Sequence, residues 1–106
     1  MPIQLQVFER RDSADRRELG NTALAVCRAI RAREGISSSR FYWNWTDTIV
    51  VVTEGETAAL DSSFGTDWPE EHARAGFALA DIARLVMSWR LFEPRAGEEM
   101  YRRAGR

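Results

Sequence analysis

The sequence predicts a single α+β domain built on one antiparallel sheet. Its 106 residues leave room for one hydrophobic core. Residues 2–9 and 39–54 carry strand-type patterns, and the segments that follow them carry apolar side chains at helical spacing. Hydrophobic residues make up 44% of the chain and charged residues 29%, which is typical of a globular protein and excludes a mostly disordered chain.

The first strand and the first helix have the clearest patterns. Apolar and polar side chains alternate over residues 2–9, which predicts a strand with one apolar face. Apolar side chains recur at helical spacing over residues 15–33, and we expect Gly35 to end this helix as its C′ residue. Cys27 falls on the buried side of the helix, where we expect it to act as a small hydrophobic residue.

A β-hairpin is predicted over residues 39–54. Its first half is rich in aromatic residues and its second half in β-branched residues, and both types favour strands. Thr46 and Asp47 form the short turn between the two halves. Further along the chain we expect a helical turn over 56–60 and a loop over 62–65.

A second helix is predicted from residue 68 to at least residue 85. An acid, a proline and a glutamate within residues 67–70 have the pattern of a helix start. The helix is apolar around most of its circumference, so it must be buried on two sides, and we expect a subunit interface there. Residues 86–93 either end this helix or form a fourth strand, and the lack of Gly or Pro at 85–86 favours helix. A short terminal helix is expected over 97–103.

The order of these elements indicates a fold. If residues 86–93 are a strand, the order is βαββαβ, which is the ferredoxin-like split-βαβ unit. The order and the length resemble those of the dimeric α+β barrel proteins, in which two such sheets face each other. The resemblance implies a ferredoxin-like βαββα(β) sandwich that forms a dimeric α+β barrel, a homodimer joined through helix 68–92, the sheet, or both. That superfamily includes small cofactor-independent monooxygenases, isomerases and cyclases, and some members bind haem.

The apolar positions assign the two faces of the predicted sheet. We expect the core face to carry Ile3, Leu5, Val7, Phe41, Trp43, Trp45, Ile49 and Val51. The opposite face mixes hydrogen-bonding and apolar groups, as a ligand cavity, a polar interface or a solvated face does. It consists of Gln4, Gln6, Arg40, Tyr42, Asn44, Thr48 and Val50. A slip of one residue exchanges the two faces, so either set could line a cavity.

His72 is the candidate catalytic residue. It is the one histidine of the chain, and the ordinary pKa of a histidine lies near neutrality. As a general base it would deprotonate a phenol or an enol. The alternative is a partly exposed histidine on a helix surface. No cofactor is expected, although His72 as an iron ligand would leave haem open if a pocket of that size exists.

The candidate substrate-binding residues lie on one predicted strand. They are Tyr42, Trp43, Asn44 and Trp45. The aromatic rings would stack on a flat ligand, and the Asn44 amide would hydrogen-bond to its polar groups. The alternative is that the two tryptophans belong to the core.

Charge and missing motifs exclude several functions. Fifteen arginines against sixteen acids give a net charge of −1, unlike a basic nucleic-acid-binding domain. No apolar run is long enough to span a membrane, and the first residues lack a signal-peptide pattern, so we expect a cytoplasmic protein that binds neither nucleic acid nor membrane. A glycine-rich phosphate loop, a nucleophile elbow and paired histidines at metal spacing are absent from the sequence, so no metal site is predicted.

Two functions of different class remain. The first is a small cofactor-independent enzyme of the monooxygenase, cyclase or isomerase type, acting on an apolar or aromatic metabolite in a cavity of the dimer. The second is a non-catalytic dimeric module for ligand sensing or protein interaction. A pocket of several hundred Å³ favours the enzyme, whereas filled side chains on both sheet faces favour the module.

Overall fold

The computed structural model describes residues 1–61 and 70–105 of the chain. Its elements are β1 (Ile3–Arg10), α1 (Arg16–Arg31), β2 (Ile36–Trp45), β3 (Thr48–Gly55), α2 (Thr57–Asp61), α3 (Glu70–Ile82), β4 (Ala83–Leu91) and α4 (Pro94–Gly105). The four strands form one sheet in the order β2-β3-β1-β4, with every neighbouring pair antiparallel. This is the predicted ferredoxin-like α+β fold. The expected loop at 62–65 and the helix start at 67–69 lie outside the described residues.

Helix α1 begins as expected and ends earlier than Gly35. The Asp15 carboxylate accepts a hydrogen bond from the backbone N–H of Glu18 at 2.7 Å, which caps the first turn. The helix ends at Arg31, and its C-terminal cap Ala32 keeps a right-handed conformation. Gly35 is therefore not the C′ residue. It lies in the turn into β2 with φ of 87°, a conformation that glycine adopts at little cost.

The junction between α3 and β4 corrects the predicted helix over 68–92. Residues 83–91 form a strand that follows α3 directly and pairs with β1 along its length. The last carbonyls of α3 are satisfied by Arg11, whose backbone N–H donates to Ile82 O at 2.8 Å and whose Nε donates to Ala80 O at 3.2 Å. Pairing with a distant strand decides the structure of a short apolar run, which periodicity alone leaves ambiguous. The helix over 68–92, through which a dimer contact was expected, is consequently wrong, since α3 ends at Ile82.

The hydrophobic core lies between α1 and the sheet. It consists of buried residues of α1, α3 and β3 together with Ala83, and Leu19 and Ile49 are fully buried within it. A buried hydrogen bond of 2.9 Å joins the Ser39 and Thr53 hydroxyls inside this core. Burial raises the pKa of the Cys27 thiol, and a hydrogen bond to Ser39 partly offsets this effect.

The two faces of β1 are the reverse of the predicted ones. Gln6 lies opposite Val51, which is buried under the helices, so Gln6 faces the helices as well. Val7 lies opposite Val50 and points to the other side of the sheet. Alternation predicted the strand correctly, but it could not tell which side the helices would cover. The expected core positions Ile3, Leu5 and Val7 therefore lie on the face away from the helices.

That second face is strongly apolar, and we call it the open face. Trp89 and Tyr42 are 53% and 55% exposed on it. Exposed apolar patches of this kind mark interaction surfaces in soluble proteins. The register places the following apolar residues on the open face: Ile3, Leu5, Val7, Tyr42, Val50, Val52, Met87, Trp89 and Leu91.

Candidate functional site

A cleft of about 330 Å³ lies between α3 and the β1–β4 half of the sheet. We call it the helix-side cleft. Its floor includes Phe8 of β1 and Leu85 of β4, which lie opposite each other in the sheet. Its wall includes Phe77 and Leu79 of α3. Most of the lining is apolar, and the volume falls in the range of small-molecule sites.

Small residues of α3 and of the start of β4 leave the space for this cleft. Gly76 and Ala80 lie one helical turn apart on α3, Ala83 is the first residue of β4, and all three line the cleft. Larger side chains at these positions would fill the gap between helix and sheet. Over the other half of the sheet, α1 packs on β2 and β3, and its buried side chains supply much of the hydrophobic core.

Polar side chains continue the floor of the cleft along β1 and β4. The register sets Gln4 opposite Arg90 and Gln6 opposite Ser88, all on the helix side. The Gln4 amide donates to Ser88 Oγ at 2.6 Å, and Arg90 Nε donates to Gln4 Oε1 at 2.8 Å. Arg90 also forms an ion pair of 2.8 Å with Asp61 of α2. We call Asp61, Arg90, Gln4 and Ser88 the polar chain.

The side chains of the polar chain are fixed by their mutual hydrogen bonds and by the ion pair, which suits them to binding a polar group of a ligand. The Arg90 side chain is 22% exposed, so its guanidinium is partly desolvated and its hydrogen bonds are stronger than in water. Gln6 lies next to the polar chain and also lines the apolar cleft. The arrangement can therefore receive a ligand that has an apolar body and a carbonyl or hydroxyl group at one end.

Sequence reasoning missed the polar chain. The two glutamines were assigned to the opposite face from the helices, and residues 86–93, which include Ser88 and Arg90, were left open between helix and strand with helix favoured. The available signal was the presence of two glutamines in a short strand that is otherwise apolar. A polar residue that faces a core side of a sheet must find partners there, and Gln4 finds them in Ser88 and Arg90.

His72 lies in the N-terminal part of α3. It precedes Gly76 by one helical turn, and Gly76 lines the helix-side cleft. The His72 side chain is half-buried, and its Nδ1 atom is shielded from solvent. His72 is not among the described residues that line the cleft.

The structure divides the four candidate substrate-binding residues between two surfaces. Tyr42 lies on the open face, opposite Val50. Trp43 lies on the helix side, where its ring approaches within 3.2 Å of the position that a Cβ atom on Gly20 would take. Asn44 is exposed at a register shift of β2, and Trp45 is 74% exposed.

Trp43 and Trp45 line a shallow apolar groove of about 350 Å³ together with Arg16 and Thr46. This groove lies at the β2 edge of the sheet, whereas the helix-side cleft lies at the β4 edge. The two tryptophans therefore lie apart from the helix-side cleft. Trp43 is also a packing residue, since its ring meets that of Phe41 edge-on at 6.2 Å between centroids.

Two features of the described residues bear on metal and haem binding. Residues 1–61 and 70–105 contain no group of three or more potential metal ligands. A haem exceeds the volume of about 330 Å³ that the helix-side cleft offers, so this cleft does not fit a haem. Among these residues, no helix is long and apolar enough to cross a bilayer.

Comparison with known proteins shows the fold. No family model matches the chain, and no curated protein matches it by sequence. SnoaB of Streptomyces nogalater, a cofactor-independent oxygenase, is 8% identical with a TM-score of 0.68 over 87% of this chain and 91% of its own. A possible oxidoreductase of Bacteroides thetaiotaomicron is 14% identical with a TM-score of 0.65 over 85% and 95%.

A third similar structure is a dimeric protein of unknown function from Bacteroides fragilis with a ferredoxin-like fold. It is 20% identical, with a TM-score of 0.58 over 86% of this chain and 96% of its own. At these identities the likeness concerns the path of the chain, and fold alone does not determine activity. The chain is thus a ferredoxin-like α+β protein.

Proposed function

We propose that this protein is a small cofactor-independent enzyme that acts on an apolar or aromatic metabolite in the helix-side cleft. The observation that carries the proposal is that the apolar cleft adjoins the polar chain at Gln6, which lines the cleft and lies opposite Ser88 in the sheet. An apolar body and a polar end of one molecule fit these two parts. The cleft lies within one chain, whereas the sequence suggested a cavity formed by the dimer.

His72 is the proposed general base. It lies about 15 Å before Ile82 along α3, at about 1.5 Å per residue. The same distance along β4, at about 3.3 Å per residue, leads from Ala83 to about Ser88. β4 follows α3 directly. We propose that α3 runs back along β4 from this junction, and the two equal lengths then bring His72 level with Ser88 of the polar chain.

The proposed chemistry begins with removal of a proton from a carbon or oxygen next to an aromatic ring or a carbonyl group. His72 takes the proton, and Gln4 and Arg90 stabilise the resulting enolate or phenolate oxygen. An isomerase returns the proton at another carbon. A cyclase adds the carbanion to a carbonyl carbon of the same molecule, which breaks the C=O π bond, and the resulting alkoxide takes the proton back from His72. A monooxygenase passes electrons from the carbanion to O₂, so that R₂CH₂ and O₂ give R₂C=O and H₂O.

The likeness to a cofactor-independent oxygenase supports the oxygenase branch of this proposal. The likeness to a possible oxidoreductase points the same way. Both are similarities of fold at low identity, so the residues of the cleft carry the argument. Proton removal by His72 is common to all three branches.

We also propose a homodimer joined through the open face. Its apolar residues would be removed from water if a second sheet packed on them, as sheets do in two-layer β structures. One protein of similar fold is described as dimeric. The dimer would bury the open face and leave the helix-side cleft accessible on the opposite side of each sheet.

The alternative is a non-catalytic dimeric module for ligand sensing or protein interaction. The observation that favours it is the exposure of Trp43 and Trp45, which would suit contact with another protein. Turnover distinguishes the two functions. A module binds its ligand in the cleft without converting it.

Oxygen uptake with anthrone as probe tests the oxygenase branch, because anthrone is an aromatic compound with one activated CH₂ group. We expect the wild type to accelerate uptake over buffer and His72→Gln to lower the rate by about 10²-fold or more, which is typical of a lost general base. Arg74→Gln is the matched control, since Arg74 forms an exposed pair with Glu70 on the same helix. An unchanged rate in His72→Gln would remove the histidine from the mechanism.

A further inference from the structure

A second, polar cavity adjoins the helix-side cleft. Its volume is about 240 Å³, and it is lined by Glu9, Arg10, Arg11, Asp12 and Arg84. Arg11 and Arg84 also line the helix-side cleft, so the two cavities meet at these arginines. We call Arg11 and Arg84 the arginine mouth. It lies at the opposite end of the cleft from the polar chain, because Arg84 begins β4 and Arg90 lies near its end.

The charges around the arginine mouth are unevenly paired. Arg84 forms an ion pair of 2.9 Å with Glu9, and Arg10 forms one of 2.9 Å with Asp47. Arg11 forms no ion pair with an acid of the described residues. Its Nε donates to the Ala80 carbonyl, which leaves the donors of its two terminal nitrogens for another partner.

Asp12 is the remaining acid that lines the polar cavity. Within the described residues it forms no ion pair, so it lowers the local potential without occupying the Arg11 guanidinium. The Arg11 charge lies where an apolar cleft opens to solvent. A guanidinium in this position is suited to a carboxylate, a sulfonate or a phosphate group, because it can donate two parallel hydrogen bonds to two oxygens of such an anion.

We infer that the ligand of the helix-side cleft is an acidic molecule whose anionic group binds Arg11 at the arginine mouth. This inference rests on the proposed function and names its substrate class. The apolar body fills the cleft over Phe8 and Leu85, and the anion is held at the mouth. Neutral compounds of the same shape bind the cleft without this contribution.

Two fluorescent probes distinguish the contribution of a ligand's charge to binding from the contribution of its shape. They are 8-anilino-1-naphthalenesulfonate, which is anionic, and N-phenyl-1-naphthylamine, which is neutral and has nearly the same rings. We expect Arg11→Gln to weaken sulfonate binding about five-fold, as for a charged hydrogen bond at a partly exposed site. Binding of the neutral probe remains unchanged.

Two further variants test whether charge at the arginine mouth raises or lowers the affinity for the sulfonate probe. Arg11→Lys keeps the charge and loses the two parallel hydrogen bonds, so it restores only part of the sulfonate affinity. Asp12→Asn removes a like charge from the neighbourhood of the probe and raises that affinity about two-fold at low salt. Arg17→Gln is the matched control on the exposed side of α1 and leaves both probes unaffected.

The outcomes distinguish the inference from the proposed function. Ala80→Leu places a larger side chain in the cleft from an exposed helix position. Loss of both probes in this variant locates them in the cleft. If Ala80→Leu leaves both probes bound as before, the proposed function fails. Suppose instead that Ala80→Leu abolishes binding of both probes, but Arg11→Gln changes the affinity for both probes equally or for neither. The cleft is then still the binding site, and the inference that it selects an anion is overturned.

Discussion

Replacement of Trp89 by alanine should separate the proposed dimer into monomers. Trp89 lies on the open face opposite Leu5, near the C-terminal end of β4. It is 53% exposed in the single chain, although a tryptophan side chain is among the largest apolar groups available for burial. Packing of a second sheet on the open face would cover this exposed half.

The size of the effect follows from the exposed area. A large aromatic side chain buries roughly 200 Å² in all, so about 100 Å² of Trp89 is left for the interface. At about 25 cal/mol per Å², this area contributes about 2.5 kcal/mol in each protomer and about 5 kcal/mol in a symmetric dimer. Side-chain ordering on association reduces this value. We therefore expect the dissociation constant to rise about a thousand-fold.

Sedimentation equilibrium over a range of protein concentrations measures the change. Trp45→Ala is the matched control, because Trp45 is 74% exposed but lies in the groove at the β2 edge. The control should keep the dissociation constant of the wild type. Equal dissociation constants for Trp89→Ala and the wild type, with both proteins folded, would refute the assignment of the open face as the dimer interface.

Two predictions concern the core. Since burial raises the pKa of the Cys27 thiol in the folded state, the folded chain holds that proton more tightly than the unfolded chain. The associated stability is present below the ordinary cysteine pKa of about 8.5 and declines as pH rises above it, so urea unfolding should show an alkaline loss that Cys27→Ala removes. Thr53→Val should lower the free energy of unfolding by about 1 kcal/mol because Ser39 loses its partner, whereas the double variant with Ser39→Ala should recover part of that loss in the same assay.

Local patterns in the sequence were sufficient for most of the elements. Alternation in β1, helical spacing in α1 and the aromatic and β-branched halves of the hairpin each appear in the structure where they were predicted. The exception is β4. Its apolar run is compatible with helix or strand, and the deciding interaction is pairing with β1, which lies far away in the sequence.

The site was harder to predict because it depends on which face of the sheet the helices cover. β1 has apolar residues on one face and two glutamines on the other, so the glutamines were expected to point away from the helices. In the structure Gln4 points toward the helices, where Ser88 and Arg90 satisfy its amide. No local pattern encodes these partners, since they come from a strand that joins β1 only in the folded protein.

The location of a bound ligand is the most direct test of the central claim, that the helix-side cleft is the functional site. Backbone amide shifts can be measured by NMR during titration with 8-anilino-1-naphthalenesulfonate. We predict that the largest changes fall on Gln6, Phe8, Phe77 and Leu85, which line the cleft. Changes confined to Trp89 and its neighbours on the open face, with the cleft amides unmoved, would contradict the claim.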